Sequence, residues 1–266
     1  MGDPPEISLL RRLLPIGEVA SLEEISDQTG LQRSELLFLV HSLEQTGFVF
    51  RKSEGEISLL EEPDCLVPQA IRARLRTTTF GRNVVVLRET SSTNDRARQA
   101  GLSGAAEGWT VFAESQTAGR GTYGRKWISV AGAGLWFSVL LRSRIEPTQL
   151  SRLVRLAAVA CAEAIERSIG RAVQIKLPND LMLENGKFAG FLLETSSGWD
   201  FQVLGIGINV RSAPWLPDRS TAALEQFSSA GIGRNALAAE LLDGLESWYY
   251  GKSEDQVERA FENRLI

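Results

Sequence analysis

The stretch that decides how this chain is read is Glu114-Ser-Gln-Thr-Ala-Gly-Arg-Gly-Thr-Tyr-Gly-Arg-Lys-Trp127. It follows Thr110 to Glu114, which reads as a strand. Gly119, Gly121 and Gly124 can take φ > 0 or let a ligand approach the backbone closely. Successive N–H groups in such a loop can cradle an anion. Arg120 and Arg125 add forked cationic donors suited to phosphate. No Gly-Lys-Ser/Thr ends the segment, so it is not a P-loop. Gly119-x-Gly-x-x-Gly124 fits the dinucleotide fingerprint as a pattern, but no helical periodicity follows it. A solvated basic hairpin loop is the alternative for the segment taken alone.

Four further segments fall on either side of it. Thr90-Ser-Ser-Thr-Asn-Asp95 sits at a strand-to-helix junction. Ser92, Thr93 and Asn94 can cap that helix or hydrogen-bond a small polar ligand head. In Ile175-Lys-Leu-Pro-Asn-Asp180, Pro178 turns the chain after a strand. Lys176, Asn179 and Asp180 are then presented together, either as turn chemistry or to a nucleotide and its Mg²⁺. In Asn185-Gly-Lys-Phe-Ala-Gly190, Lys187 opens an otherwise apolar strand. It is either a fixed positive charge facing a ligand or a hairpin lysine in water. In Leu204-Gly-Ile-Gly-Ile-Asn-Val210, alternating glycines weaken a strand unless something passes close to its face. A flat ligand and a tightly packed helix are the two causes.

Outward from these segments, strands are expected at Val84 to Leu87, Leu135 to Leu141, Val173 to Lys176, Phe188 to Glu194 and Phe201 to Ile208. Helices are expected at Asn94 to Ala100, about Thr148 to Ser168, Asn235 to Trp248 and Glu254 to Ile266. Strands and helices do not alternate strictly, so the class is α+β with a mixed, largely antiparallel sheet and flanking helices. Ahead of it, Leu9, Leu10, Leu13 and Leu14 have helical spacing. Ser21-Leu-Glu-Glu24 has the form of a capping box, and its helix stops at Thr29-Gly30. A third helix spans about Arg33 to Thr46. Phe48 to Phe50 and Glu56 to Leu59 then form a short hairpin, which makes a winged helix-turn-helix. The expected organisation is a winged helix over 1–62, a connector over 63–78 and a catalytic domain over 79–266.

The 266 residues suffice for one large domain and a small one. A net charge of -4 gives no global attraction to nucleic acid. No apolar run nears the roughly 20 residues of a membrane span, the N-terminus lacks a signal-peptide pattern, and a cytoplasmic protein is expected. Cys65 and Cys161 make neither a disulfide framework nor a zinc site alone. His41, the single histidine, lies far from every glycine loop. This excludes histidine acid/base catalysis in the large domain and any multi-histidine metal site.

Together, in this order and spacing, the five segments resemble the biotin–protein ligase family over about residues 79 to 250. Ser92-Thr-Asn94, Ala118-Gly-Arg-Gly-Thr-Tyr-Gly-Arg-Lys-Trp127, Lys176-Leu-Pro-Asn-Asp180, Gly186-Lys-Phe-Ala-Gly190 and Gly205-Ile-Gly-Ile-Asn209 match its motifs. The resemblance implies that biotin is activated by Mg·ATP to biotinyl-5′-AMP and passed to a lysine of a biotin carboxyl carrier protein. It implies catalytic roles for Lys187 and Arg120. Biotin falls to Ser92, Thr93, Asn94, Gln116, Gly119, Arg120, Gly121, Thr122, Lys187, Gly190, Gly205 and Gly207. The nucleotide falls to Arg120, Arg125, Trp127, Lys176, Asn179 and Asn209, and Mg²⁺ to Asp180. The N-terminal elements resemble those of bifunctional ligases that also repress biotin genes, which makes operator DNA a candidate partner and a homodimer a candidate assembly. A biotin-responsive repressor with weak or absent ligase activity is the alternative, and lipoate ligation a third reading.

Three departures stand out. Thr122 replaces the family's usual arginine, Leu177 replaces a tryptophan, and no small C-terminal β-barrel is expected before Ile266. The recognition-helix candidate, Arg33 to Glu44, offers few donors to bases or phosphates. Packing or dimerisation is its alternative role.

Overall fold

The computed structural model describes residues 3–142, 150–198 and 200–266. The chain divides into two compact units, Met1–Arg74 and Leu75–Ile266.

The first unit runs α1 (Pro5–Arg12), β1 (Ala20–Ser21), α2 (Leu22–Thr29), α3 (Arg33–Glu44), β2 (Val49–Ser53), β3 (Glu56–Glu61) and α4 (Pro68–Arg74). The Ser21 hydroxyl accepts from the N–H groups of Glu23 and Glu24 and so caps α2. The expected return contact of the box is replaced, because the Glu24 carboxylate meets Arg12 at 3.2 Å. Gly30 ends α2 at φ 71°. The three strands pair in the order β1-β3-β2, all antiparallel. Leu9, Leu10, Leu13, Ile25, Leu36, Val40, Leu43, Ile57 and Leu59 form the core beneath them. Arg11 donates to the Ala73 carbonyl at 3.2 Å, so α4, from the stretch expected as a connector, lies against α1 within this unit.

The second unit runs β4 (Val84–Thr90), α5 (Thr93–Leu102), β5 (Thr110–Gln116), β6 (Gly134–Leu141), α6 (Leu150–Ile169), β7 (Gln174–Lys176), β8 (Asp180–Leu183), β9 (Gly186–Thr195), β10 (Gln202–Asn209), α7 (Arg234–Gly251) and α8 (Glu254–Glu262). The first residues of the helix expected from Thr148 lie outside the described residues. One seven-stranded sheet has the order β4-β5-β6-β10-β9-β8-β7. Only β4 and β5 are parallel; the other pairs are antiparallel, which makes the sheet mixed.

Every residue of β6 and of β10 is buried, so both faces of the sheet are covered. Helix α5 covers one face, where Ala97 packs with Val111, Leu140, Phe201 and Val203. Helices α6 and α7 pack on each other and on β6, β8 and β9, and supply the other cover. Strand side chains alternate between faces. The α5 face of β6, β10 and β9 therefore also carries Ser138, Gly205, Gly207, Gly190 and Glu194, in register across the three strands. Beyond the end of α5 this face is open, and a cavity lies there. No helix among the described residues is long and apolar enough to cross a membrane.

Candidate active site

The cavity has a volume of about 460 Å³, within the usual range for small-molecule sites. Three of its walls are the N-terminus of α5, the loop between β5 and β6, and the turn from β7 to β8. Its floor is the glycine-rich face of β9 and β10. Of the candidate catalytic and ligand-binding residues named from the sequence, all but Gly119 line it.

The α5 wall comes first. Ser92 precedes the helix but makes no side-chain cap bond, so capping does not account for it. Thr93, Asn94 and Ser92 are all buried. Ser138 of β6, wholly buried, lies 2.8 Å from the Thr93 hydroxyl and donates to Asn94 Oδ1 at 2.6 Å. Thr93 N–H donates to Gln116 Oε1 at 2.8 Å, and Gln116 Nε2 donates to the Ser129 hydroxyl at 2.8 Å. This chain of bonds fixes which end of each amide is presented. Ser138 and Ser129 were not legible as site residues, because they are small polar residues with no local pattern.

The glycine loop is a tight hairpin. Trp127 N–H donates to Gly119 O at 2.9 Å and Gly121 N–H to Arg125 O at 2.7 Å. Of its three glycines only Gly124 takes a positive φ, 72°, with Tyr123 before it at 58°. Gly119 is set by hairpin pairing instead. A Cβ there would meet the Trp127 carbonyl at 2.4 Å, and the residue does not line the cavity. Arg120 reaches the cavity edge with its guanidinium engaged by two carboxylates, Asp95 at 2.7 and 2.9 Å and Glu194 at 3.2 Å. Arg120 holds the Asp95 carboxyl below the usual carboxylate range, first by hydrogen bonding and then by charge.

The alternating glycines of β10 have both kinds of cover. Asn94 of α5 lies over Gly205, where a Cβ would meet Oδ1 at 2.2 Å. The Trp127 indole lies over Gly207 and Gly190, where an added Cβ would meet the ring at 2.4 and 3.1 Å. A flat ring does cross this face, and it is supplied by the chain's own loop.

Lys187 is largely buried. Its ammonium is 2.5 Å from Asp180 Oδ1 and 5.3 Å from the centre of a Trp127 ring. Lys187 and Arg120 thus face one cavity. The amides of Asn179 and Asn209 hold backbone: Asn179 Nδ2 donates to Phe191 O at 2.5 Å and Asn209 Nδ2 to Ala222 O at 3.1 Å. Lys176, Arg125 and Thr122 line the rim. Among the described residues no group of three or more His, Cys, Asp or Glu could hold a metal ion. Asp180 is one carboxylate beside the cavity, which suits a Mg²⁺ that arrives bound to a triphosphate.

One wall was missed by sequence reasoning. Residues of the segment after β10, Pro214, Leu216, Asp218, Arg219 and Thr221, line the cavity. Backbone pairing brings them there: Lys187 N–H donates to Ser220 O at 3.1 Å and Ala222 N–H to Lys187 O at 2.9 Å. Such pairing leaves no side-chain signature.

A mixed sheet with a cation-bearing glycine loop and a strand-borne lysine around one cavity makes a site suited to a small anionic ligand. The sequence model of the biotin/lipoate A/B protein ligase family matches residues 86–210. The bifunctional ligase/repressor BirA of Bacillus subtilis (strain 168) is 34% identical over 236 residues, covering 83% of this chain and 72% of that protein. The biotin–[acetyl-CoA-carboxylase] ligase of Mycobacterium tuberculosis is 36% identical over 171 residues, covering 62% and 64%. Among solved structures, biotin protein ligase from Leishmania major in complex with biotinyl-5-AMP superposes with a TM-score of 0.63 at 26% identity, covering 70% of this chain and 82% of that one. The Aquifex aeolicus enzyme in complex with biotin and ATP gives 0.61 at 27% identity, covering 70% and 79%. The chain belongs to the biotin protein ligase family.

Proposed function

We infer that this protein is an ATP-dependent biotin protein ligase. A biotin carboxylate oxygen attacks the α-phosphorus of Mg·ATP, the bond to the β-phosphate breaks, and pyrophosphate leaves. A carrier lysine then attacks the carbonyl carbon of the mixed anhydride. The amide forms, the lysine loses a proton, and AMP leaves. The observation that carries this is the placement of Arg120, Lys187, Gln116 and Ser92 to Asn94 around one cavity. Two anions that repel each other must be held there together, and fixed cations do this best in a site shielded from water.

In this assignment Ser92, Thr93, Asn94 and Gln116 bind the ring of biotin. Lys187 spans its carboxylate and the α-phosphate, and Arg120 and Arg125 take phosphate. Trp127, Lys176, Asn179 and Asn209 shape the nucleotide end, and Asp180 meets Mg²⁺ on the triphosphate. Biotin-dependent ATP–pyrophosphate exchange, with a carrier fragment gaining one biotinyl group by mass, is the expected result. Exchange that depends on lipoate and not on biotin would overturn the substrate.

A repressor role is the second reading, favoured by relatives named as ligase/repressors. Helices α1 to α3 and the β2–β3 hairpin of the first unit are then a winged helix-turn-helix. The exposed side of α3 includes Leu37 and Phe38, the latter 72% exposed, with Arg33 as its guanidinium. Operator retention that requires biotinyl-AMP would support this role; none at low salt would remove it.

A further inference from the structure

We propose, on the assignment of Asn94 to biotin and Arg120 to phosphate given above, that Glu194 is the positioning residue that joins the two halves of the site. Glu194 lies in the cavity-facing row of β9, outside every motif singled out in the sequence. Its Oε2 accepts from Asn94 Nδ2 at 2.8 Å and from Arg120 Nη2 at 3.2 Å, and Oε1 lies 3.4 Å from the same Nη2. One carboxylate therefore holds a helix N-terminus and an arm of the glycine-loop hairpin, two separate elements.

The consequences follow from the direction of each bond. Ser138 donates to Asn94 Oδ1, so the amide can satisfy Glu194 only with its nitrogen. Glu194 and Ser138 together therefore fix the Asn94 amide before ligand arrives. Arg120 also grips Asp95, with Nη1 on Oδ2 and Nη2 on Oδ1. Asp95 alone could anchor the guanidinium, but it does not touch Asn94 through any of these bonds. Glu194 is the group common to both. The side chain is 24% exposed, which shields its bonds from solvent more than those of Asp95, at 45%. Of the five guanidinium donors, the bonds to Asp95 and Glu194 take three, and an incoming phosphate oxygen can meet the rest without breaking the clasp.

Both contacts converge on Oε2, but they differ in how far they depend on the carboxylate charge. Glu194→Ala removes both. Glu194→Gln, with its carbonyl oxygen in the place of Oε2, keeps a neutral acceptor for Asn94 but removes the negative charge that holds the Arg120 cation and puts an amide nitrogen where Oε1 approached Nη2. Biotin-dependent pyrophosphate exchange on the full chain gives KM for biotin and kcat separately. Glu194→Ala is expected to raise the biotin KM roughly tenfold or more and to lower kcat as well, the scale of a lost charge-assisted bond. Glu194→Gln is expected to restore most of the KM and little of the kcat. Asp95→Asn is expected to leave the biotin KM within about twofold, because it keeps the Asn94 contact. Constants within twofold of the parent for both Glu194 variants overturn the proposal. So does a Glu194→Gln indistinguishable from Glu194→Ala, which would mark a general structural role. Failure of the biotin assignment shows in the parent protein as exchange without biotin dependence; failure of the Glu194 role shows only in its variants.

Discussion

Thr122 opens the short turn Thr122–Gly124 at the cavity rim, at the position where the resemblance leads one to expect an arginine. The cations nearest the expected phosphate already have carboxylate partners: Arg120 has Asp95 and Glu194, and Lys187 has Asp180. An incoming phosphate must compete with, or add to, these pairs, and Thr122 brings no charge of its own. The adenylate is therefore expected to leave more readily than it would with arginine at this position. Thr122→Arg should slow release of biotinyl-AMP about tenfold, the scale of one charge-assisted hydrogen bond. A single-turnover chase, with labelled adenylate followed through a desalting column, measures it. Retention unchanged by the substitution refutes the idea.

At the scale of elements, the second unit is tied together by a buried ion pair. Arg234, in the first turn of α7 and 1% exposed, donates to both oxygens of Glu114 at the end of β5, at 2.7 and 3.2 Å. It also donates to Gly134 O at the start of β6, at 3.3 Å. A cation at a helix N-terminus is unfavourable towards the helix dipole, so Glu114 offsets both that and the desolvation of the guanidinium. Arg234→Ala leaves the carboxylate buried without its main partner, at a cost of about 3–5 kcal/mol. The melting temperature should then fall by roughly 10 °C for a unit of this size. Adding Glu114→Gln should recover part of the loss; a double variant no more stable than Arg234→Ala alone would contradict the account. Helix α6 was legible in the sequence because burial of one face imposes a period, and β6 and β10, buried on both faces, because they read as short apolar runs. Strand β8 was not: its four residues, Asp180–Leu183, overlap a Pro-Asn-Asp turn signal, and pairing with β9 outweighs it. The motifs named the cavity walls that rest on glycines and cations. Glu194 and the segment from Pro214 to Thr221 stayed hidden, because a carboxylate at a strand end and a backbone bridge carry no local pattern.

At the scale of the whole molecule, the division of labour follows from where the cavity residues fall. They run from Ser92 to Thr221, all inside the second unit, Leu75–Ile266. That unit has its own sheet and its own two-sided helical cover, and the first unit has a separate core of leucines and isoleucines. On the proposed assignment, adenylation needs the groups that line the cavity and a rigid frame to hold them, and both lie outside residues 1–74. A fragment of residues 75–266 is therefore expected to fold and to catalyse biotin-dependent pyrophosphate exchange, with KM values for biotin and ATP within about threefold of the full chain's. Any operator binding should be lost with the first unit. Circular dichroism establishes that the fragment is folded, and exchange kinetics then decide. A folded fragment without exchange would mean that the first unit contributes to catalysis, and the assignment of the reaction to the second unit alone would fall.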